Sequence, residues 1–222
     1  MATQHLDLEE QEQIDQIKAF WRQWGNIITW LLIAVLGSYA AYNGWQYWQN
    51  RQGHAAAQLF DEVNKAAQAN DLDKLKRVVS DLSAQTPSSV LAQHAQLLLA
   101  KAAVDKGETD VARAALASVG EQSPDAGLKA VAALRLVALD MDAQQWDSAM
   151  SALAALEQAG TPGFKGLIAD RRGDILQAKG DKAGAGEQYL AAWAALADDG
   201  QYRQLVEVKL NALGLSAGAA AN

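Results

Sequence analysis

The chain has 222 residues, with 26 acidic against 19 basic side chains and a formal net charge of −7. That length allows one domain with an appendage, and the charge balance denies it the basic surface that a phosphate backbone requires, so nucleic acid is excluded as a partner. The absence of cysteine removes disulfides, thiolate metal sites and a Cys nucleophile, and three scattered histidines, His5, His54 and His94, offer no metal site; no cofactor is implied.

Residues 1–23 read as a short acidic cytoplasmic tail. Leu6, Leu8, Ile14 and Ile17 alternate there with Asp7, Glu9, Glu10, Glu12 and Asp15 in an amphipathic pattern. Its acidic face is repelled by anionic lipid and is suited instead to contact with a protein.

The next segment, 24–48, reads as a transmembrane helix. No charged side chain occurs between Arg22 and Arg51, and at ~1.5 Å per residue the ~20 residues from Gly25 to Gly44 cross a ~30 Å hydrocarbon core. Trp21 and Trp24 precede the run, and Trp45, Tyr47 and Trp48 close it, which is the distribution of membrane-interface anchors. A soluble core helix would interrupt such a run with charges on its wet face. A cleaved signal, for which Ser38-Tyr39-Ala40 is a passable site, would follow a short basic segment, not a long acidic one. The helix is therefore read as a retained single-pass anchor. Lys18 and Arg22 before it, against Arg51 close after it, favour a cytoplasmic N-terminus and a type II topology.

Residues 49–215 are rich in Ala, Leu, Gln and Lys with apolar positions recurring at three and four, so helices are predicted throughout. The three prolines all follow a hydroxyl residue, in Thr86-Pro87, Ser123-Pro124 and Thr161-Pro162. This predicts three helix starts, with the hydroxyl as N-cap and Pro at the first helical position. Their intervals of 37 and 38 residues signal a repeat. An independent set agrees: Leu75, Ala112, Ala149 and Ala185 follow a turn in each unit at intervals of 37, 37 and 36, and Val79, Leu116, Leu153 and Tyr189 lie four residues further on, on the same helical face. Gly107 and Gly180 suit a left-handed residue closing the first helix of a hairpin. Gly173, seven residues before Gly180, is the small residue that lets paired helices approach.

Here the chain resembles the tetratricopeptide (TPR) class, in a degenerate form without the usual early Trp of each unit. The predicted fold is all-α: a single N-terminal transmembrane helix, a TPR-like helical-hairpin solenoid of about four hairpins, a capping helix over Tyr202 to Leu210, and a disordered tail at 216–222. In TPR arrays the first helix of each unit lines the concave side. That register places Leu97, Lys101, Leu134, Ala138, Met141, Asp170, Asp174 and Gln177 there as candidate partner-binding residues, each of which equally fits ordinary surface or interhelix packing.

No catalytic constellation emerges. Ser88, Ser89, His94 and Asp105 have no spacing that demands a nucleophile and base, and Gly184-Ala185-Gly186 lacks the strand and third glycine of a dinucleotide loop. Arg172-Gly173-Asp174 falls inside a helix, which argues against an adhesion tripeptide. The protein is read as a non-enzyme.

The order of parts, with Lys18-Ala19-Phe20-Trp21-Arg22-Gln23-Trp24 before the span, Gly44-Trp45-Gln46-Tyr47-Trp48 closing it, and the later segments Leu128 to Leu136, Ala169 to Asp174, Lys179 to Lys182 and Val208 to Asn211, resembles the bacterial YfgM family over nearly the whole chain. The resemblance implies an ancillary subunit of the SecYEG translocon, held in the inner membrane with its TPR domain in the periplasm. It also implies a membrane-anchored periplasmic prolyl-isomerase-type chaperone as partner, contact with unfolded secretory clients, and links to envelope-stress regulation. The alternatives are a TPR scaffold for another cell-envelope assembly complex and a membrane-bound enzyme with a hidden site.

Overall fold

A computed structural model describes residues 8–196 and 200–216. The expected tail at 216–222 lies outside the described residues from 217 onward, as do residues 1–7 and the side chain of Trp48. Among the described residues there are nine helices and no strand, which is the all-α fold expected.

The chain divides into two compact units, 1–55 and 56–222, and the first helix, α1 (Leu8–Gln68), contributes to both. In the first unit, Ile14–Tyr47 is long and apolar enough to cross a membrane. Its side chains are almost all exposed, Leu31 at 60% and Ile33 at 53% among them. Polar side chains inside it bond to their own helix: Thr29 Oγ1 donates to the Gly25 carbonyl at 2.7 Å, and Asn43 Nδ2 donates to that of Tyr39 at 2.9 Å. Such back-bonding leaves few polar groups seeking water in an apolar solvent.

In the second unit, the end of α1 pairs with α2 (Leu72–Gln85), then α3 (Val90–Asp105) with α4 (Thr109–Gln122), α5 (Ala126–Asp142) with α6 (Trp146–Ala159) and α7 (Lys165–Ala178) with α8 (Lys182–Ala195); α9 (Gly200–Ala212) closes the series. The four hairpin turns share one geometry. Asn70, Gly107, Gln144 and Gly180 have positive φ, at 53°, 77°, 58° and 87°. The next N–H in each turn bonds back five residues, to the carbonyls of Ala66, Ala103, Asp140 and Leu176 at 2.8 to 3.1 Å. This is the left-handed closure that satisfies carbonyls left over at a helix end. Leu75, Ala112, Ala149 and Ala185 follow each turn at a fixed offset and are buried, as are Val79, Leu116, Leu153 and Tyr189. Burying a side chain the size of Leu116 or Leu153 contributes roughly 1.5 to 3 kcal/mol.

The prolines do not open helices as the hydroxyl-proline pairs predict. Thr86 and Ser123 are C-caps of α2 and α4, and α3, α5 and α7 begin after Pro87, Pro124 and Pro162, at Val90, Ala126 and Lys165. Proline bars the preceding residue from the helical region, so it ends one helix before the next begins. Ser89 and Asp125 take the N-cap role, accepting from Ala92 N at 3.1 Å and Leu128 N at 2.7 Å.

Apolar packing passes from neighbour to neighbour. One cluster joins α1 to α5, a second α5 to α7, and a third lies around α8 and α9. Gly173 permits the approach of α7 to α8, for a Cβ there would stand 2.5 Å from the Tyr189 ring. The capping helix expected over Tyr202 to Leu210 is α9, which buries Val206 and Leu210 and leaves Leu205 and Val208 exposed.

Candidate functional site

The eight candidate partner-binding residues lie on α3, α5 and α7, the first helices of three successive hairpins, and they separate into two groups. Around α3 and α5, Lys101 and Ala138 line one groove of about 330 Å³. Its apolar wall includes Ala100, Leu116 and Leu139, all buried, and the exposed Val104. Charged side chains also line it: Lys101 is paired with Asp105 at 2.8 Å, and Arg135 Nη1 donates to the Leu97 carbonyl at 3.3 Å, fixing the guanidinium at the seam of the two helices. Leu97 itself is buried, and Leu134 and Met141 are half-buried against the α5–α7 apolar cluster.

Around α7, the structure gathers Asp170, Asp174 and Gln177 into a polar network with α8 and α9. Asp170 is fully buried. Lys209 Nζ lies 2.7 Å from Asp170 Oδ1 and 2.6 Å from Asp174 Oδ1. Tyr202 Oη donates to Asp170 Oδ2 at 2.7 Å, and Tyr189 Oη donates to Asp174 Oδ1 at 2.8 Å while standing 2.7 Å from Gln177 Oε1. Arg171 adds a contact to Asp174 at 3.1 Å. Burial, and then the hydrogen bonds to the two carboxylates, push both phenols well above their ordinary titration range, so they stay neutral donors. Two carboxylates four residues apart on one helical face repel; here the Lys209 ammonium between them offsets that repulsion, and the outcome is a tie between α7 and α9. Arg203, stacked 3.6 Å from the centre of the Trp193 ring, adds a second tie from α9 to α8.

Other buried or inter-hairpin charges are also matched. Asp140 accepts from Arg113 of α4 and from Ser148 Oγ of α6 at 2.8 Å. Glu157 of α6 meets Arg172 of α7 at 2.6 Å, and that hydrogen bond and charge hold the Glu157 carboxyl below its usual range. Among the described residues no group of three or more His, Asp or Glu could hold a metal ion, and His94 is exposed on α3. The interface-anchor candidates Trp21, Trp24, Trp45 and Tyr47 are all exposed on α1, near the two ends of the apolar run.

The missed element is Lys209. No local signal could have found it, since Arg171 on the same helix already offers Asp174 a cation at 3.1 Å and the burial of Asp170 is set by the docking of α9.

Comparison with known proteins gives a consistent result. A family model described as a tetratricopeptide repeat-like domain matches residues 18–215. A Neisseria gonorrhoeae protein named ancillary SecYEG translocon subunit is 30% identical over 211 residues, covering 93% of this chain and 98% of that protein. A Haemophilus influenzae protein of the same name is 31% identical over 112 residues, covering 49% of this chain and 53% of its own length. No solved structure matches.

Proposed function

Since the chain belongs to the YfgM family of tetratricopeptide repeat-like proteins, we propose that it serves as an ancillary subunit of the SecYEG translocon in the bacterial inner membrane. The observation that carries this reading is the end-to-end match to a relative of that name, covering 93% of this chain and 98% of the relative. In this reading Ile14–Tyr47 is the anchor, the N-terminus is cytoplasmic, and the hairpin domain stands in the periplasm as a non-enzymatic adaptor. It passes emerging secretory chains to a membrane-anchored prolyl-isomerase-type chaperone.

A single anchor suits this task because it confines the domain near the channel mouth. Tethering replaces a bimolecular encounter with an effective concentration that reaches the millimolar range for short linkers, so weak individual contacts suffice. Purification of the full chain from native membranes in mild detergent tests the proposal. Translocon subunits are expected to co-elute; recovery of a different envelope assembly complex without them would replace this reading with that of a scaffold for that complex.

A further inference from the structure

The three junctions between successive hairpins are not tied alike. Across the first, Gln96 Nε2 of α3 donates to Ser83 Oγ of α2 at 3.0 Å, and Lys76 of α2 meets Glu108. Across the second, Arg113 of α4 meets the buried Asp140 of α5, and Arg135 of α5 donates to the Leu97 carbonyl of α3. Across the third, between α6 and α7, the polar side-chain ties among the described residues are two ion pairs, Glu157 with Arg172 at 2.6 Å and Asp147 with Lys179 at 3.5 Å. Their carboxylates are 57% and 99% exposed. The two pairs stand about 15 Å apart along α6.

The connecting segments differ in the same way. In the first, Ser89 Oγ donates to Thr86 Oγ1 at 3.1 Å and Gln93 Nε2 donates to the Pro87 carbonyl; in the second, the Asp125 N–H donates to Ser123 Oγ at 3.2 Å. Ser89 and Asp125 then cap the next helix. In the third, Gly160 and Gly163 flank Thr161-Pro162 with φ of 65° and 81°, and α7 begins with no side-chain cap. Nothing stands within 4 Å of a Cβ built on either glycine, so backbone conformation and not packing calls for them. What remains across the junction is apolar: Leu153 and Leu156 of α6 share a cluster with Ile168 and Ile175 of α7. Apolar contact is non-directional, and it survives a small sliding of one helix on another that would break a buried hydrogen bond.

We propose that the α6–α7 junction is a shear hinge, at which α7–α9 move as one body against the three hairpins before them, latched by the Glu157–Arg172 and Asp147–Lys179 pairs. On the far side, the close approach of Gly173 to Tyr189 and the contacts of Lys209 to Asp170 and Asp174 make α7, α8 and α9 a single unit. On the near side, Asp140 joins α4, α5 and α6 through Arg113 and Ser148. In a stack of hairpins a small rotation at one junction changes the curvature of the array. Exposed ion pairs are screened by salt, and each biases an equilibrium by a factor of about 1.4 to 5. Two of them make a latch weak enough to open and strong enough to set the resting register. The device does not depend on which partner the protein serves.

The full chain has no cysteine, so a spin label attaches only where one is introduced. Labels at Ala117→Cys of α4 and Ala191→Cys of α8, both exposed positions, read the distance across the junction by double electron-electron resonance. Ala84→Cys with Ala117→Cys, and Ala191→Cys with Gln204→Cys, are the controls within each body. The cross-junction distribution is expected to be wider than either control. It should hold a second population that grows about twofold to tenfold between about 0.02 and 0.5 M salt. Glu157→Arg should produce such growth at low salt, and joining it to Arg172→Glu should reverse it, which a merely structural role of Glu157 would not allow. Unaltered thermal melting establishes that the variants fold, and the salt series needs neither of them. The inference is overturned if the cross-junction distribution is as narrow as the controls or if salt leaves it unchanged. It is equally overturned if a folded Glu157→Arg chain keeps the low-salt distribution, or if the double reversal does not restore it.

Discussion

Residues 14–47 and the α7–α9 end of the hairpin domain depart from the usual distribution of side chains in opposite senses. The first exposes Trp, Leu and Ile along more than thirty residues of α1; the second buries Asp170 completely and draws Asp174, Lys209 and two tyrosines in beside it. Either arrangement in isolation would be unfavourable, and each is explained by what surrounds it. An exposed apolar helix is stable where the solvent is lipid, and its few polar groups bond to their own backbone. A buried carboxylate is tolerated where each of its oxygens has a charged or hydroxyl partner. The difference lies in where the partners come from: α7–α9 supplies those of its buried carboxylate from within the chain, whereas Ile14–Tyr47 requires a phase that the protein does not supply.

The largest expected effect comes from opening the polar end. Asp170→Ala removes the carboxylate that Tyr202 Oη donates to and one of the two carboxylates around Lys209. Removing one member of a buried ion pair costs about 3 to 5 kcal/mol; because Lys209 retains Asp174 and is 21% exposed, the lower end is expected. Urea unfolding of the full chain in detergent, followed by helical circular dichroism, measures it. A loss below about 1 kcal/mol would mean that the network is ornamental. The matching change in the other region is Ile33→Arg, placing a charge in the middle of the apolar run. If that run spans a bilayer, the expected cost is about 2.5 to 3.5 kcal/mol, read as a fall in the fraction of protein resisting alkaline carbonate extraction. Unchanged extraction would argue against the anchor.

A smaller effect separates packing from charge at the polar end. Gly173→Ala adds a Cβ against the Tyr189 ring, 2.5 Å from its nearest carbon, and overpacking of this kind costs about 1 to 3 kcal/mol. Thermal melting should fall while the Lys209 contacts to Asp170 are spared. If Gly173→Ala were neutral, the close approach of α7 and α8 would not be the reason for a glycine there.

Local pattern revealed most of the fold. The turn offsets predicted four hairpins because each requires one left-handed residue and a small or aliphatic residue at a set distance after it, and both requirements are written in consecutive residues. The prolines misled in detail for a local reason as well: the same rigid ring that suits a first helical position also ends the preceding helix, and here the second effect prevails at Thr86 and Ser123. The candidate site was legible only to the level of the helix. Lys101 and Ala138 do share a groove, but whether Asp170 faced solvent or the interior depended on Lys209 and Tyr202, more than thirty residues away and on another helix. No periodicity reports such a pairing, since it is set by how α9 docks.

The smallest expected effect tests the turns shared by all four hairpins. Gly180 and Gln144 occupy equivalent positions with φ of 87° and 58°, but only one is a glycine. A left-handed conformation costs an L-residue roughly 1 to 2 kcal/mol, while glycine loses about 0.5 to 1 kcal/mol more chain entropy on folding. The two terms oppose, so Gly180→Ala should destabilise by about 1 kcal/mol or less, and Gln144→Gly should stabilise by a similar or smaller amount. Nothing stands within 4 Å of a Cβ built on Gly180, so the loss would report backbone strain and not a clash. Both shifts are measurable by thermal melting against the unchanged chain. Opposite signs at the two positions would establish that the turn geometry is imposed by hairpin packing, with the residue type tuning its cost; equal signs would mean that the side chains at these turns contribute something the backbone account omits.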